Sequence, residues 1–95
     1  MRLREFNEEV LFAEDRIVKV GRGEIDLLRK RAKSNKRNRM RLCTHQDTED
    51  KVHEMFIAIQ QGTYIRPHKH LNKSESFHII EGSVDVVVFD PRRPG

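Results

Sequence analysis

Apolar residues along this chain fall into short runs whose spacing switches from two-residue alternation to a helical stripe and back. At 10–20 (VLFAEDRIVKV) they cluster on either side of Glu14 and Asp15, which predicts two short strands ahead of a turn at Gly21, Arg22 and Gly23. From 23 to 34 the positions of Ile25, Leu28 and Ala32, with Leu27 alongside, repeat at helical spacing. Acids come first and bases last, an order that suits the helix dipole, so an amphipathic helix packed on a sheet is expected. Residues 34–38 are polar and break the stripe. Arg39 and Arg41 then alternate with Met40 and Leu42 like a half-buried strand, and 44–50 reads as a loop. Strands are predicted at 52–60, 64–70, 75–80 and 84–89, with turns at 61–63 and at Gly82; two prolines in 90–95 end the pattern. Pro67 cannot donate to a ladder and marks a bulge or an edge.

Six or more short strands with one preceding helix predict a β-barrel or β-sandwich in which two sheets close around a pocket. The pattern reads as incomplete at its C-terminal end. A full barrel needs further strands after Phe89, supplied by more chain or by a partner. The 95 residues form one domain, with N-terminal strands over 1–22, the helix over 23–34 and barrel strands over 39–90. A chain of this length buries only about 60% of its unfolded surface, so the core is modest. With 36% of residues charged and 36% hydrophobic, composition alone would allow disorder, but the apolar runs at 52–59 and 84–89 require a core. The single cysteine, Cys43, excludes an internal disulfide and suits a reducing compartment. No apolar h-region opens the chain and no run approaches a span of ~18 apolar residues, so neither signal peptide nor membrane segment is expected and the expected location is the cytoplasm.

The chemistry concentrates in residues 62–82, GTYIRPHKHLNKSESFHIIEG. His68 and His70 are two apart, which in a strand puts both imidazoles on one face, roughly 7 Å apart along the chain. Residues 71–74 are polar and short enough for a hairpin loop, so Glu75 would open the neighbouring antiparallel strand, where a carboxylate about 5 Å across the pair reaches the same ion. Two imidazoles and one carboxylate with coordination positions left open suit iron, manganese, nickel or zinc. By strand parity Tyr64 and Arg66 share the face of the two histidines. Arginine can grip a carboxylate or phosphate in a fork, and tyrosine can donate to a sugar hydroxyl or act as an acid; the competing readings are an internal salt bridge and a filled barrel mouth.

The spacing Gly62, five residues, His68-x-His70, four residues, Glu75, six residues, Gly82 fits the first cupin motif, G-x5-H-x-H-x3–4-E-x6-G. Over roughly residues 25–90 the chain also resembles the WbuC-type cupin metalloproteins found with bacterial surface-polysaccharide genes, through RMRLCTH at 39–45, VHEMFIAI at 52–59, GTYIRPHKH at 62–70 and ESFHIIEG at 75–82. The resemblance implies an all-β cupin-type barrel (double-stranded β-helix or jelly roll), a divalent transition metal on His68, His70 and Glu75, and a homodimer. It departs in one respect: the second cupin motif, G-x5-P-x-G-x2-H-x3-N, which supplies a further histidine, is not found in these 95 residues.

Other residues carry competing readings. His53 shares a face with Met55, Ile57 and Ile59, and His45 follows the strand of Arg39, Arg41 and Cys43 by one loop position; either is a hydrogen-bonded core histidine or the missing fourth ligand. His78 falls on the opposite face from Glu75 and is not expected to ligate. Cys43 reads as a small buried hydrophobe. Eight basic residues in the thirteen from Arg29 to Arg41 raise nucleic acid as a partner, but no aromatics interleave for base stacking, and the tract's first half has a simpler role as the helix's polar face. Arg39 and Arg41 are pocket candidates for a diphosphate. The reading is a cupin metalloprotein acting on a sugar or sugar-nucleotide intermediate of cell-surface polysaccharide (O-antigen) synthesis, its ligand small and anionic or sugar-like. An iron-dependent dioxygenase-like enzyme on a small organic acid, and a non-enzymatic binding or sensor module, are the alternatives. Fold alone does not choose among them.

Overall fold

A computed structural model describes residues 1–65 and 75–87. Within them lie four strands and one helix: β1 (Leu3–Asn7), β2 (Val10–Ala13), α1 (Arg22–Ser34), β3 (Arg39–Cys43) and β4 (Met55–Ile59). The strands form one mixed sheet in the order β1-β2-β3-β4. Its outer pairs are antiparallel hairpins, and β2 and β3 run parallel. A parallel pair needs a crossover, and α1 supplies it.

Local chemistry explains each boundary. Asn7 Oδ1 accepts the Glu9 N–H at 2.8 Å, closing the turn between β1 and β2. At the start of α1, glycine offers no capping side chain, and the Glu24 carboxylate instead accepts the Gly21 N–H at 2.7 Å. At the other end Asn35 leaves helical geometry and its amide donates to the Arg39 carbonyl at 2.8 Å, tying the helix to the start of β3. Asn38, at φ +55, makes the left-handed bend that the polar break after the stripe foreshadowed.

Period-two alternation divides the sheet into two faces. Toward the helix point Leu3, Leu11, Ala13, Met40, Leu42, Phe56 and Ala58, which meet Leu27, Leu28 and Ala32 of α1; Val18 and Val20 close one end. Met40, Leu42 and Leu28 are almost completely covered. The other face holds a smaller buried cluster of Val10, Phe12 and Cys43 with Met55 beside it. Around that cluster Phe6, Ile57 and Ile59 stay exposed. Strand β2 is buried at all four positions because it is interior to the sheet and covered on both faces.

Several expectations change. The second strand anticipated before Gly21 does not form: Val18 and Val20 pack on the helix-side core from a connection, and β2 pairs back to an unanticipated β1. The strand expected over 52–60 is restricted to Met55–Ile59. Of the strands expected at 64–70, 75–80 and 84–89, the described parts, 64–65, 75–80 and 84–87, carry no strand pairing, and 75–87 are exposed. Alternation marks residues suited to a sheet but does not supply a partner, and strands without a packed layer are marginal. The sheet is therefore open, with β1 and β4 at its edges among the described residues.

Candidate functional site

The motif expected to hold a metal begins just after β4. Gln60 accepts the Thr63 N–H at 3.2 Å, with Gly62 at φ +85 in the third position of the turn. That combination is a type II turn, which requires a residue free of a Cβ penalty at this point. Gly82, at the other end of the motif, stands at φ +78. Among the described residues nothing lies within 4 Å of a Cβ placed at either glycine, so backbone conformation selects glycine there. Both framing positions of the motif thus carry the positive φ that favours glycine.

Between them, Tyr64 is 73% exposed and Glu75 lies in the exposed stretch at 75–80. Arg66, His68 and His70 lie outside the described residues. Among the described residues no three His, Cys, Asp or Glu side chains gather as a metal-binding group. Glu75 was expected to open a paired strand; its described neighbours form none, because no segment among the described residues lies in register beside them.

The sheet face turned away from α1 gathers the remaining candidates. Arg39 and Arg41 alternate with the buried Met40 and Leu42, as the sequence implied, and stand opposite Ile59 and Ile57 of β4. The Arg4 guanidinium lies 5.0 Å over the Phe12 ring, and Phe6 meets the same ring edge-on at 5.8 Å. The Arg39 side chain is largely covered, its Nε makes no hydrogen bond among the described residues, and Glu9 Oε1 is 3.9 Å away. Arg4 and Arg41 have no ion-pair partner among the described residues. Cys43 lies beneath this face, and burial pushes its thiol above the ordinary value of 9.0, with Arg41 pulling weakly the other way. Arg4 was not visible as a candidate from sequence because β1 itself was not.

Four members of the basic tract lie beside acids. Arg31 pairs with Glu5 at 3.0 Å, Arg37 and Arg39 lie near Glu9, and Arg29, with Arg22 at 3.3 Å, pairs with Glu81. These contacts tie the helix and its C-terminal connection to acids on other segments, which supports a structural role for the tract.

His45 and His53 form a stacked pair, ring centroids 4.2 Å apart and planes 12° from parallel. Phe12 meets His45 edge-on at 5.6 Å. Stacked rings direct their in-plane nitrogen lone pairs side by side, a poor geometry for two ligands converging on one ion. His45 is 8% exposed. Its Nδ1 lies 3.2 Å from the Glu54 nitrogen and 3.1 Å from the Glu54 carbonyl oxygen. That oxygen already accepts from the Thr44 N–H at 2.9 Å and the Thr44 hydroxyl at 3.1 Å, so both its lone pairs are taken. We therefore assign Nδ1 as acceptor of the Glu54 N–H, which places the proton of the neutral ring on Nε2. The two residues were weighed singly in the sequence; their stacking across a loop had no signal there.

Residues 20–93 match the family described as a domain of unknown function (DUF6016). No curated protein and no solved structure matches the chain. No helix among the described residues is long and apolar enough to cross a membrane.

Proposed function

Because the chain belongs to the DUF6016 family, whose description assigns no activity, we propose its function from its own residues: a cupin-type metalloprotein that holds one divalent transition metal on His68, His70 and Glu75. The observation that supports the reading is the motif spacing together with the positive φ of both framing glycines. The donor set fits the group. Two neutral imidazoles and one carboxylate suit iron, manganese, nickel or zinc and leave positions for a ligand. When bound, the metal supplies Lewis-acid polarisation of a ligand oxygen.

In this reading the sheet face bearing Arg4, Arg39 and Arg41 is the inner wall of a cupin-type barrel, and Tyr64 and Arg66 belong to the same pocket. Guanidiniums hold carboxylate or phosphate, and the phenol donates to hydroxyl groups. The ligand is small and anionic or sugar-like. The resemblance to WbuC-type proteins favours a sugar-nucleotide intermediate of bacterial surface-polysaccharide synthesis, in the cytoplasm. A homodimer is part of the proposal, supported by the two sheet edges, β1 and β4, left open among the described residues; light scattering at micromolar concentration reads it, and a monodisperse monomer contradicts it.

Binding of nucleoside diphosphate sugars to protein reconstituted with each metal tests the functional reading. Arg66→Ala should keep its metal and its melting temperature while losing about 1.5–3 kcal/mol of ligand affinity, the range for a hydrogen bond to a charged group. Unchanged affinity removes Arg66 from the pocket. A destabilisation of about 3–5 kcal/mol instead identifies a buried internal ion pair.

A further inference from the structure

Both parallel strands end on the same side of the sheet, and the connections that follow them, residues 14–21 after β2 and 44–54 after β3, border an open cleft of about 640 Å³. Carboxyl ends of parallel strands joined by a helix are where open α/β sheets receive ligands, because the two connections diverge there. Its apolar lining comes from Val18, Val20, Val52 and Phe56.

Three polar residues line the same cleft. Arg16 lines the cleft and has no ion-pair partner among the described residues. Glu54 lines it too, and its carboxylate is likewise without an ion pair there. The third is His45, more than nine-tenths buried, with Nδ1 occupied by the Glu54 N–H and the Nε2–H without a partner among the described residues. The neighbouring acid, Asp50, is already used, accepting the backbone N–H groups of Gln46 at 2.7 Å and Asp47 at 3.3 Å.

We propose that this cleft binds a free α-amino acid with a branched apolar side chain. Its carboxylate is held by the Arg16 guanidinium and the His45 Nε2–H, its ammonium by the Glu54 carboxylate, and its side chain lies on the valines and Phe56. A simple monocarboxylate leaves Glu54 unanswered, and a dianion is repelled by it. The site does not use the metal motif.

Amide NMR titration of the full chain tests the assignment, with L-leucine as probe and isovalerate, isoamylamine and L-aspartate as controls. Leucine should give saturable shifts concentrated in residues 16–20 and 44–56. Each control, and leucine with Arg16→Gln or Glu54→Gln, should bind at least tenfold more weakly. Both substituted positions are exposed, so these variants fold even if His45→Gln does not. Leucine binding should survive in His68→Ala protein. Isovalerate binding as tightly as leucine overturns the amino-acid assignment. Shifts outside the two connections, no saturation by tens of millimolar leucine, or loss of binding in His68→Ala overturn the site.

Discussion

Replacing Leu42 with alanine removes a side chain that is 1% exposed, in an interior strand. Leu11 and Phe56 flank it in neighbouring strands, and Leu28 and Ala32 lie in the same core above it. Because β3 is hydrogen-bonded on both sides, the backbone cannot collapse into the space. The cost should fall in the middle of the range for buried leucine, about 3–4 kcal/mol. Ile57 occupies the next strand on the opposite face and is 53% exposed. Three carbons are lost in Ile57→Ala, each worth about 0.8 kcal/mol only when fully buried, and water fills the space left, so the cost should be about 1 kcal/mol. Urea denaturation followed by far-UV circular dichroism measures both, since the chain has no tryptophan. With unchanged slopes near 1 kcal/mol/M, the midpoints should fall by about 3–4 M and about 1 M. Equal costs would refute the reasoning, because they require the face of Ile57 to be sealed by a packed layer.

Gly62→Ala and Gly82→Ala should each destabilise by about 1–2 kcal/mol through the left-handed backbone alone, measured as a midpoint shift; no loss means the turns are not formed as described. The Cys43 thiol, raised by burial, favours the neutral form in the folded state. Its contribution is therefore complete below 9.0 and is lost as pH rises above that, where the unfolded thiol ionises first. The stability difference between wild type and Cys43→Ala should be flat from pH 7 to about 8.5 and narrow by pH 10. A difference that widens with pH contradicts a buried thiol.

The helix and β3 were legible because their signals are local and agree. A stripe at helical spacing is followed by a polar break containing Asn35 and Asn38, and Arg39 to Cys43 alternates cleanly. Strand β1 was not, because both its faces carry charge. Arg4 lies on Phe12 and Glu5 pairs with Arg31, so an edge strand of this composition looks like a loop until its partners are placed. Residues 17–20 erred in the other direction: Val18 and Val20 have a strand's alternation yet cover the end of the core from a crossover connection. The same ambiguity applies at 75–87, where apolar alternation occurs without pairing. At the candidate site, the need for glycine at 62 and 82 was readable from spacing. The His45–His53 stack and the Arg4 contact were not, since they arise from strand order.

Metal content bears most directly on the central claim. Protein purified without added metal should carry about one equivalent of iron, manganese, nickel or zinc by elemental analysis, and His68→Ala and His70→Ala should each abolish it, because two remaining donors compete poorly with water and buffer. Stoichiometric metal retained in both variants, or none in wild type after reconstitution with each of the four ions, contradicts the assignment.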